Sequence, residues 1–441
     1  MEHCCKQKAT TTSRRTFLQT GGVALLSVGF WSESPARASR SPNQKLNLGI
    51  VGVANRGETN LIGVHHETIS ALCDVDEDYL EQRKARYPGA KRFRDFRELL
   101  DFPHLDGVMI SSPDHTHAHA ALMAIQRGLH VYCEKPLAHS ISEVRRLARA
   151  AKKSPVITQT GVQHHTTPGY RRVAELIRSG VIGEVREVHS WTSRPYWPQA
   201  ITQRPAAEAI PPQLDWDLWL GPAPARPYAS GYHPTNWRGF WDFGTGALGD
   251  RGPHQLDPAF YALELTSPER IEAESSGVTE ESPPEWSIVR FAFPARGNRP
   301  AVRVTWYDGG KQPSREITGV KQRLPDNGTL FIGSLARLFA PELGGNPIVI
   351  PNQSGAELPP ATVQLPVSKG HYQEWLDACK GEGTVQCDFQ YGALLTETCL
   401  LGNVALRAGK AIQWNGESGE IVGNPEARPY LTRPYRQGWE L

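Results

Sequence analysis

Asp250 and His254 stand four residues apart in DRGPHQLD (Asp250–Asp257), between the glycine-rich FGTGALG (Phe243–Gly249) and the apolar AFYALEL (Ala259–Leu265). Positions i and i+4 share one face of a helix, so both side chains can aim at one point from its first turn. A histidine titrates near neutrality and can take a proton from a hydroxyl, while a carboxylate beside it orients the imidazole or holds a substrate hydroxyl. On this reading Pro253 suits the first helical position, Gly252 lets the backbone approach closely, and Asp257 points to the far side as a structural residue. Taken alone, the pair is equally well explained as a helix cap and a satisfied core histidine.

Two other stretches carry reactive side chains. Lys135 lies in EKPL, directly after the apolar run HVYC (His130–Cys133) and before Pro136. A lysine between a buried strand and a proline is fixed in a turn rather than left on open surface. Asp114-His115-Thr116-His117-Ala118-His119 places His115 and His119 on one helical face, as a metal pair would be. A zinc site needs further ligands, and no metal is expected. Asp114 is also a candidate helix N-cap.

The elements that must position these groups are short. LNLGIVG (Leu46–Gly52) is a continuous apolar run, as expected of a strand buried on both faces of a parallel sheet. It leads into G-V-A-N-R-G, the G-x-G-x-x-G turn with Ala54 at the second glycine and Gly52 and Gly57 at the others, and with Asn55 and Arg56 between. A second strand, TISALCD, ends at Asp74, at the spacing of an acid that holds the ribose 2′-hydroxyl of a dinucleotide. A carboxylate there repels a 2′-phosphate and favours NAD. DGVMISS (Asp106–Ser112) and HVYC add strands around the helical ALMAIQRG, which makes a right-handed parallel unit. Their turns, SPDHTHAH and EKPL, should line one crevice beyond the strand ends.

In this order, the glycine turn, Asp74, SPDHTH (Ser112–His117) and EKP (Glu134–Pro136) resemble the Gfo/Idh/MocA family of nicotinamide-dependent oxidoreductases. The likeness continues through TQTGVQ (Thr158–Gln163), LDWDLWLGPAP, DRGPHQLD, WYDGG and LLGNVALRAGKAIQW. It implies NAD as cofactor, contacted by Gly52, Ala54, Asn55, Arg56, Gly57, Asp74, Ser112, Pro113, Asp114, His117, Glu134, Lys135 and Gln163. The same resemblance implies that Lys135 hydrogen-bonds the hydroxyl being oxidised, beside His254 as general acid/base and Asp250 as orienting group. Related exported proteins often carry Gln-x-Arg after the strand VITQTGVQ; Gln163 fits and His165 departs, which puts an arginine contact to substrate in doubt.

The text changes after residue 183. EVREVHSWTS, RIEAESSGVT, SIVRFAFPA and PAVRVTWYDG alternate as strands with one wet face, predicting a largely antiparallel sheet. The fold class is therefore α/β, a Rossmann-type parallel-sheet domain over residues 45–165 followed by an α+β substrate and oligomerisation domain over 166–441. Residues 194–249 form a long irregular segment rich in tryptophan and tyrosine. Trp237, Arg238 and His233 there are candidate carbohydrate contacts, although most of these aromatics are expected to pack as core.

The chain has 441 residues, room for two domains, and a formal charge of +2 without a long basic tract, which argues against nucleic acid. SRRTFLQ (Ser13–Gln19), an apolar run too short to span a bilayer, and Ala36-Arg37-Ala38 read together as a twin-arginine export signal over residues 1–38, with no stable membrane anchor. Its removal takes five basic residues (Lys6, Lys8, Arg14, Arg15, Arg37) and two acidic ones (Glu2, Glu33), leaving a net charge of −1. Five cysteines then remain, an odd number with no C-x-x-C, and no structural disulfide is expected. The reading is an exported, periplasmic NAD-dependent oxidoreductase and homo-oligomer acting on a secondary hydroxyl of a sugar, sugar acid or cyclitol. Its rivals are an NAD-dependent glycosidase or lyase that oxidises a sugar transiently, and a sugar-binding protein that keeps the fold as a scaffold.

Overall fold

Short strands without a wet face build the first sheet. The computed structural model describes residues 44–319 and 323–441, and the expected export signal lies outside the described residues. The strands are β1 (Asn47–Val51), β2 (Thr68–Cys73), β3 (Lys91–Phe93), β4 (Gly107–Ile110), β5 (His130–Glu134) and β6 (Thr158–Gly161). All pair in parallel, in the order β3-β2-β1-β4-β5-β6. The order reverses between β1 and β4, and in such sheets that point opens the crevice where a dinucleotide lies. Every residue of β4 is buried, which explains its unbroken apolar text.

The second sheet has nine strands in the order β13-β12-β11-β7-β10-β9-β8-β14-β15. They are β7 (Val185–Trp191), β8 (Arg270–Ser275), β9 (Ser287–Phe293), β10 (Val302–Tyr307), β11 (Gly328–Gly333), β12 (Ala336–Pro341), β13 (Ile348–Pro351), β14 (Ile412–Asn415) and β15 (Glu420–Val422). All neighbours are antiparallel except β7 and β10. β9 alternates buried and half-buried along its length as expected, but β10 is buried at five of six positions. One face of β10 packs Val302, Val304 and Trp306 into the main core, and Tyr307 joins Trp191 and Leu330 in a separate apolar cluster.

The helix Gly246–Leu263 crosses this sheet and carries the DRGPHQLD stretch. It starts earlier than the sequence suggests: Thr245 is its N-cap position, and Pro253 and Pro258 both lie in its interior. A proline has no amide to offer the carbonyl four residues back. Pro258 thus leaves the His254 carbonyl without its helical partner, and the Tyr170 hydroxyl donates to it instead at 3.4 Å. The next carbonyl, Gln255 O, accepts from Ser190 Oγ of β7 (3.1 Å) and Thr329 Oγ1 of β11 (2.7 Å). The sheet therefore grips the helix at His254 and Gln255.

The domain division at residue 165 describes the sheets and not the helices. Helix His371–Cys379 returns to the first domain, where Trp375 and Leu376 join the cluster of Leu48, Ile50, Met109 and Tyr132. Helix Phe389–Ala408 packs on both Gly246–Leu263 and Ile141–Lys153. Gly252 serves that crossing rather than a ligand: a Cβ built there would lie 2.6 Å from Cys399 Sγ. Cys73, Cys133, Cys379, Cys387 and Cys399 are free thiols, all but Cys379 buried. Among the described residues no helix is long and apolar enough to cross a membrane.

Gly252→Ala gains about 1 kcal/mol of helix propensity but overpacks the crossing by about 1–3 kcal/mol. Urea unfolding should show a net loss for Gly252→Ala, and Gly252→Ala with Cys399→Ala should be more stable than the two single losses add up to. Strict additivity would show that the crossing is not close-packed.

Candidate active site

Two adjoining cavities lie beyond the ends of the parallel strands, sharing Arg56, Ser111, Ser112, Thr235, Trp237 and Arg238. The first, about 170 Å³, follows the glycine turn through Gly52, Ala54, Asn55 and Arg56 to Asp74, with Ser112 and Pro113 on its other wall. Gly52 sits at φ +80°, and a Cβ on it would lie 2.8 Å from the Ser111 carbonyl carbon. A Cβ on Gly57 would fall onto the Gly52 carbonyl. The strained position between them is Asn55, at φ 52°, and not Ala54, so the alanine in place of the second glycine needs no left-handed backbone. Asn55 gives the helix Arg56–Gly63 no side-chain cap, which leaves its N-terminal dipole facing the cavity.

Asp74 directly follows β2, with Oδ2 on the Val53 amide (2.9 Å) and Oδ1 on the Asp76 amide (3.2 Å). Burial pushes its carboxyl up to about 6 against these amide bonds. The second wall of this cavity comes from the other domain: Trp219, His233 and Thr235 reach it, as do Tyr79 and Arg94 of the first domain. His233, a substrate candidate on sequence, lines only this first cavity, whereas Trp237 and Arg238 line both. Tyr79 and Arg94 carry no motif that would single them out.

The second cavity, about 340 Å³, brings together Lys135, Asp250 and His254 with Asp114, Glu134, Arg194 and Arg251. Lys135 Nζ donates to Asp250 Oδ1 at 2.7 Å and to the Asp250 carbonyl at 2.8 Å, with both side chains largely buried. Burial alone would raise the Asp250 carboxyl, but the charges of Lys135 and Arg238 and the Lys135 hydrogen bond outweigh it and hold the group well below the usual carboxylate range. Asp250 is therefore bound to Lys135 and makes no hydrogen bond to His254; the expectation that it orients the imidazole gives way to one in which it orients the ammonium. Its place mid-turn in the helix, four residues past Gly246, also removes the N-cap explanation.

His254 shares the helix face with Asp250 and is 2% exposed, its Nδ1 buried without a partner. Burial first, then the positive surroundings of Lys135, Arg251 and Arg56 and the nearby His164, push its imidazole well below the ordinary value. It is thus a neutral base at pH 7. His164, which no motif marks, packs against it with ring centroids 4.8 Å apart and planes tilted by 49°. The adjacent His165 instead binds Asp257 Oδ1 at 2.8 Å, a carboxylate oxygen that also accepts from Tyr391, on the far side as expected for Asp257.

Several residues expected at the cofactor act one step behind it. His117 lines the second cavity, but Nδ1 meets the Pro136 carbonyl at 2.8 Å and Nε2 the Ser112 carbonyl at 2.7 Å. With both nitrogens engaged, it fastens the turns after β4 and β5 to each other. Gln163 lines neither cavity; its amide donates to Glu134 Oε1 at 2.6 Å and Tyr132 at 2.8 Å, and Asn60 donates to the same Glu134 oxygen at 2.9 Å. Glu134 Oε2 is left buried without a donor, an acceptor that a cofactor hydroxyl can satisfy. Asp114 is the first residue of helix Asp114–Gln126 after an N-cap position at Pro113, and its Oδ2 accepts from Thr245 Oγ1 at 2.8 Å. The two domains are thereby joined twice at the site, through Asp114–Thr245 and Lys135–Asp250. His115 and His119 meet the carbonyls of Trp219 (2.9 Å) and Trp439 (2.7 Å). The loop aromatics divide as expected: Trp216, Trp219, Tyr228, Tyr232 and Trp237 pack together, while Tyr196 and Trp197 face the second cavity.

The fold and the glycine cradle define a dinucleotide-binding oxidoreductase architecture. Residues 46–162 match the NAD-binding Rossmann fold of the Gfo/Idh/MocA oxidoreductase family and residues 170–298 its C-terminal alpha/beta domain, together more than half of the chain, which belongs to that family. Among curated proteins, myo-inositol 2-dehydrogenase of Thermotoga maritima is 29% identical over 142 residues, 32% of this chain and 42% of that protein. Levoglucosan dehydrogenase of Pseudarthrobacter phenanthrenivorans is 23% identical over 236 residues, 50% of this chain and 52% of the relative. The chain thus spans about half, or less, of these relatives' length. Among solved structures, the WlbA dehydrogenase from Bordetella pertussis in complex with NADH and UDP-GlcNAcA superposes with a TM-score of 0.62 at 16% identity, over 85% of this chain and 98% of that one. A levoglucosan dehydrogenase complex with NADH and levoglucosan gives 0.57 at 16% identity, over 84% and 99%. These likenesses establish the same fold.

Asp74 is ionised at pH 8 and mostly protonated at pH 5, so its repulsion of a 2′-phosphate should fade on acidification. Fluorescence titration should show the preference for NAD over NADP narrowing by about tenfold between those pH values, beyond the change seen in Asp74→Ala. An equal change in both proteins would remove Asp74 from cofactor selection.

Proposed function

We propose that the protein is an NAD-dependent oxidoreductase that moves hydride between a secondary hydroxyl of a sugar, sugar acid or cyclitol and a tightly held nicotinamide cofactor. The observation that carries the reading is the convergence of Lys135, Asp250 and His254 on one cavity that adjoins the glycine-turn cavity. Bound NAD would lie along Gly52–Gly57 and Asp74 and supply the hydride acceptor. Lys135, held by Asp250, donates a hydrogen bond to the substrate hydroxyl and stabilises the negative charge that grows on its oxygen. His254, neutral because it is buried, takes the hydroxyl proton. In the reverse direction the same imidazole returns it.

Arg238 lies 3.5 Å from Asp250 and beside Trp237, which places a cation and an aromatic plane at the junction of the two cavities, suited to a hydroxylated ring. Export through the twin-arginine route belongs to this proposal, supported by SRRTFLQ and the Ala36-Arg37-Ala38 site, because that route carries folded protein with its cofactor loaded. Self-association belongs to it as well, supported by the family resemblance.

With NAD bound, Lys135→Ala or His254→Ala should lower turnover by about 10²–10⁴ while cofactor is retained, read as NADH formation and as nucleotide released on denaturation. Full turnover by either variant excludes the assigned role. A released aglycone with no net NADH would instead indicate transient oxidation and elimination.

The depressed His254 imidazole sets the pH profile. Protonation that disables the base occurs only below the ordinary histidine value near 6.5, so kcat for oxidation should hold from pH 8 down to about 6.5 and fall only beneath it. An acid limb centred above 6.5 would contradict a buried neutral base.

A further inference from the structure

The second cavity is more basic than removal of a proton from an alcohol requires. Arg56, Lys135, Arg194, Arg238 and Arg251 line it, against the carboxylates Asp114, Glu134 and Asp250. Lys135 and Arg238 are directed at Asp250, Asp114 is bound by Thr245, and Glu134 by Asn60 and Gln163. Arg56 opens the helix after the glycine turn and faces both cavities, the place of a cofactor contact.

Two further guanidinium groups, Arg194 and Arg251, form no ion pair with a carboxylate of this cavity. Arg251 is 9% exposed; it meets Glu342, yet its Nε is buried without a partner. Arg194 forms no ion pair among the described residues. Its guanidinium carbon lies over Tyr196, 3.9 Å from the ring centroid, with its amide on Thr192 Oγ1 (3.3 Å) and its carbonyl on the Gly309 amide (2.7 Å). The backbone is held by these two bonds and the guanidinium rests over an aromatic ring, which leaves its N–H groups for paired hydrogen bonds to a ligand. The two groups also feel each other: after burial, the charge of Arg194 helps depress the Arg251 guanidinium, partly offset by Asp250. An anion between them would relieve that repulsion.

Resting on the oxidoreductase reading above, we propose that Arg194 and Arg251 form a subsite for an anionic oxygen group, a carboxylate or a phosphate, carried by the sugar. The substrate is then a sugar acid or sugar phosphate and not a neutral sugar. Arginine forks match either group through two parallel hydrogen bonds.

The test is calorimetric titration of the NADH-loaded protein, at low ionic strength, with glucose, glucuronate and glucose 6-phosphate and with the corresponding galactose set. At least one anionic sugar should bind about tenfold or more tightly than its neutral partner. The uronate and phosphate arms identify the group. Arg194→Gln should erase the preference and Arg194→Lys should keep part of it, each with an unchanged melting temperature. Equal or tighter binding of neutral sugars, no binding by any anionic member, or a preference that survives in Arg194→Gln would overturn the subsite. Turnover separates this from the wider reading: NADH formed equally from neutral sugars defeats only the subsite, whereas tight anion binding with no hydride transfer in either direction defeats only the oxidoreductase.

Discussion

A buried ammonium and a buried carboxylate, 115 positions apart in the chain, meet at the junction of the two domains. Removing both from water is costly, and their attraction offsets this only when geometry and further hydrogen bonds are good. Lys135 meets that condition by using both the side chain and the carbonyl of Asp250. The pair therefore fixes the turn after β5 against the helix Gly246–Leu263, and the Asp114–Thr245 bond repeats the link one turn of helix away. Neither domain contains the cavity alone; the second supplies an imidazole and the counter-ion for a lysine that the first presents.

The helix that carries Asp250 and His254 is held by irregularities in its own hydrogen bonding. Pro258 releases the His254 carbonyl, and Tyr170 takes it up; Ser190 and Thr329 bind the next carbonyl from the sheet beneath. Such side-chain partners fix the rotation of the helix about its axis, which apolar packing alone leaves softer. Rotation decides whether positions 250 and 254 face the cavity or the core. Burial then does chemical work as well as packing: it keeps the His254 imidazole neutral and raises the Asp74 carboxyl, so one physical cause sets the protonation of a group in each cavity.

Much of this was legible in the sequence because the signals are local. Buried parallel strands write continuous apolar runs, the glycine turn and Asp74 fall at fixed spacing from them, and the i, i+4 relation of Asp250 and His254 needs no knowledge of the fold. What could not be read is non-local. Nothing near His117 says that its two nitrogens will find carbonyls from different turns, and nothing near Gln163 says that it will stand behind Glu134. His164 touches His254 only because the turn after β6 meets the Gly246–Leu263 helix. Helix His371–Cys379 resembles any amphipathic helix, and only the shape of the first core draws it back across the domain boundary. Pro253 misled for a physical reason: proline is favoured at a helix start, and a proline kept inside a helix depends on partners elsewhere for the carbonyls it frees.

A double-mutant cycle on NAD-loaded protein measures the coupling between Lys135 and Asp250 most directly, with Lys135→Met, Asp250→Asn and both together, read as NADH formation from any sugar that gives turnover with the wild type. The expected result is strong non-additivity, the double variant no slower than the slower single variant, with cofactor retained throughout. Losses that multiply would show that the two residues act independently and that the pair does not build the site.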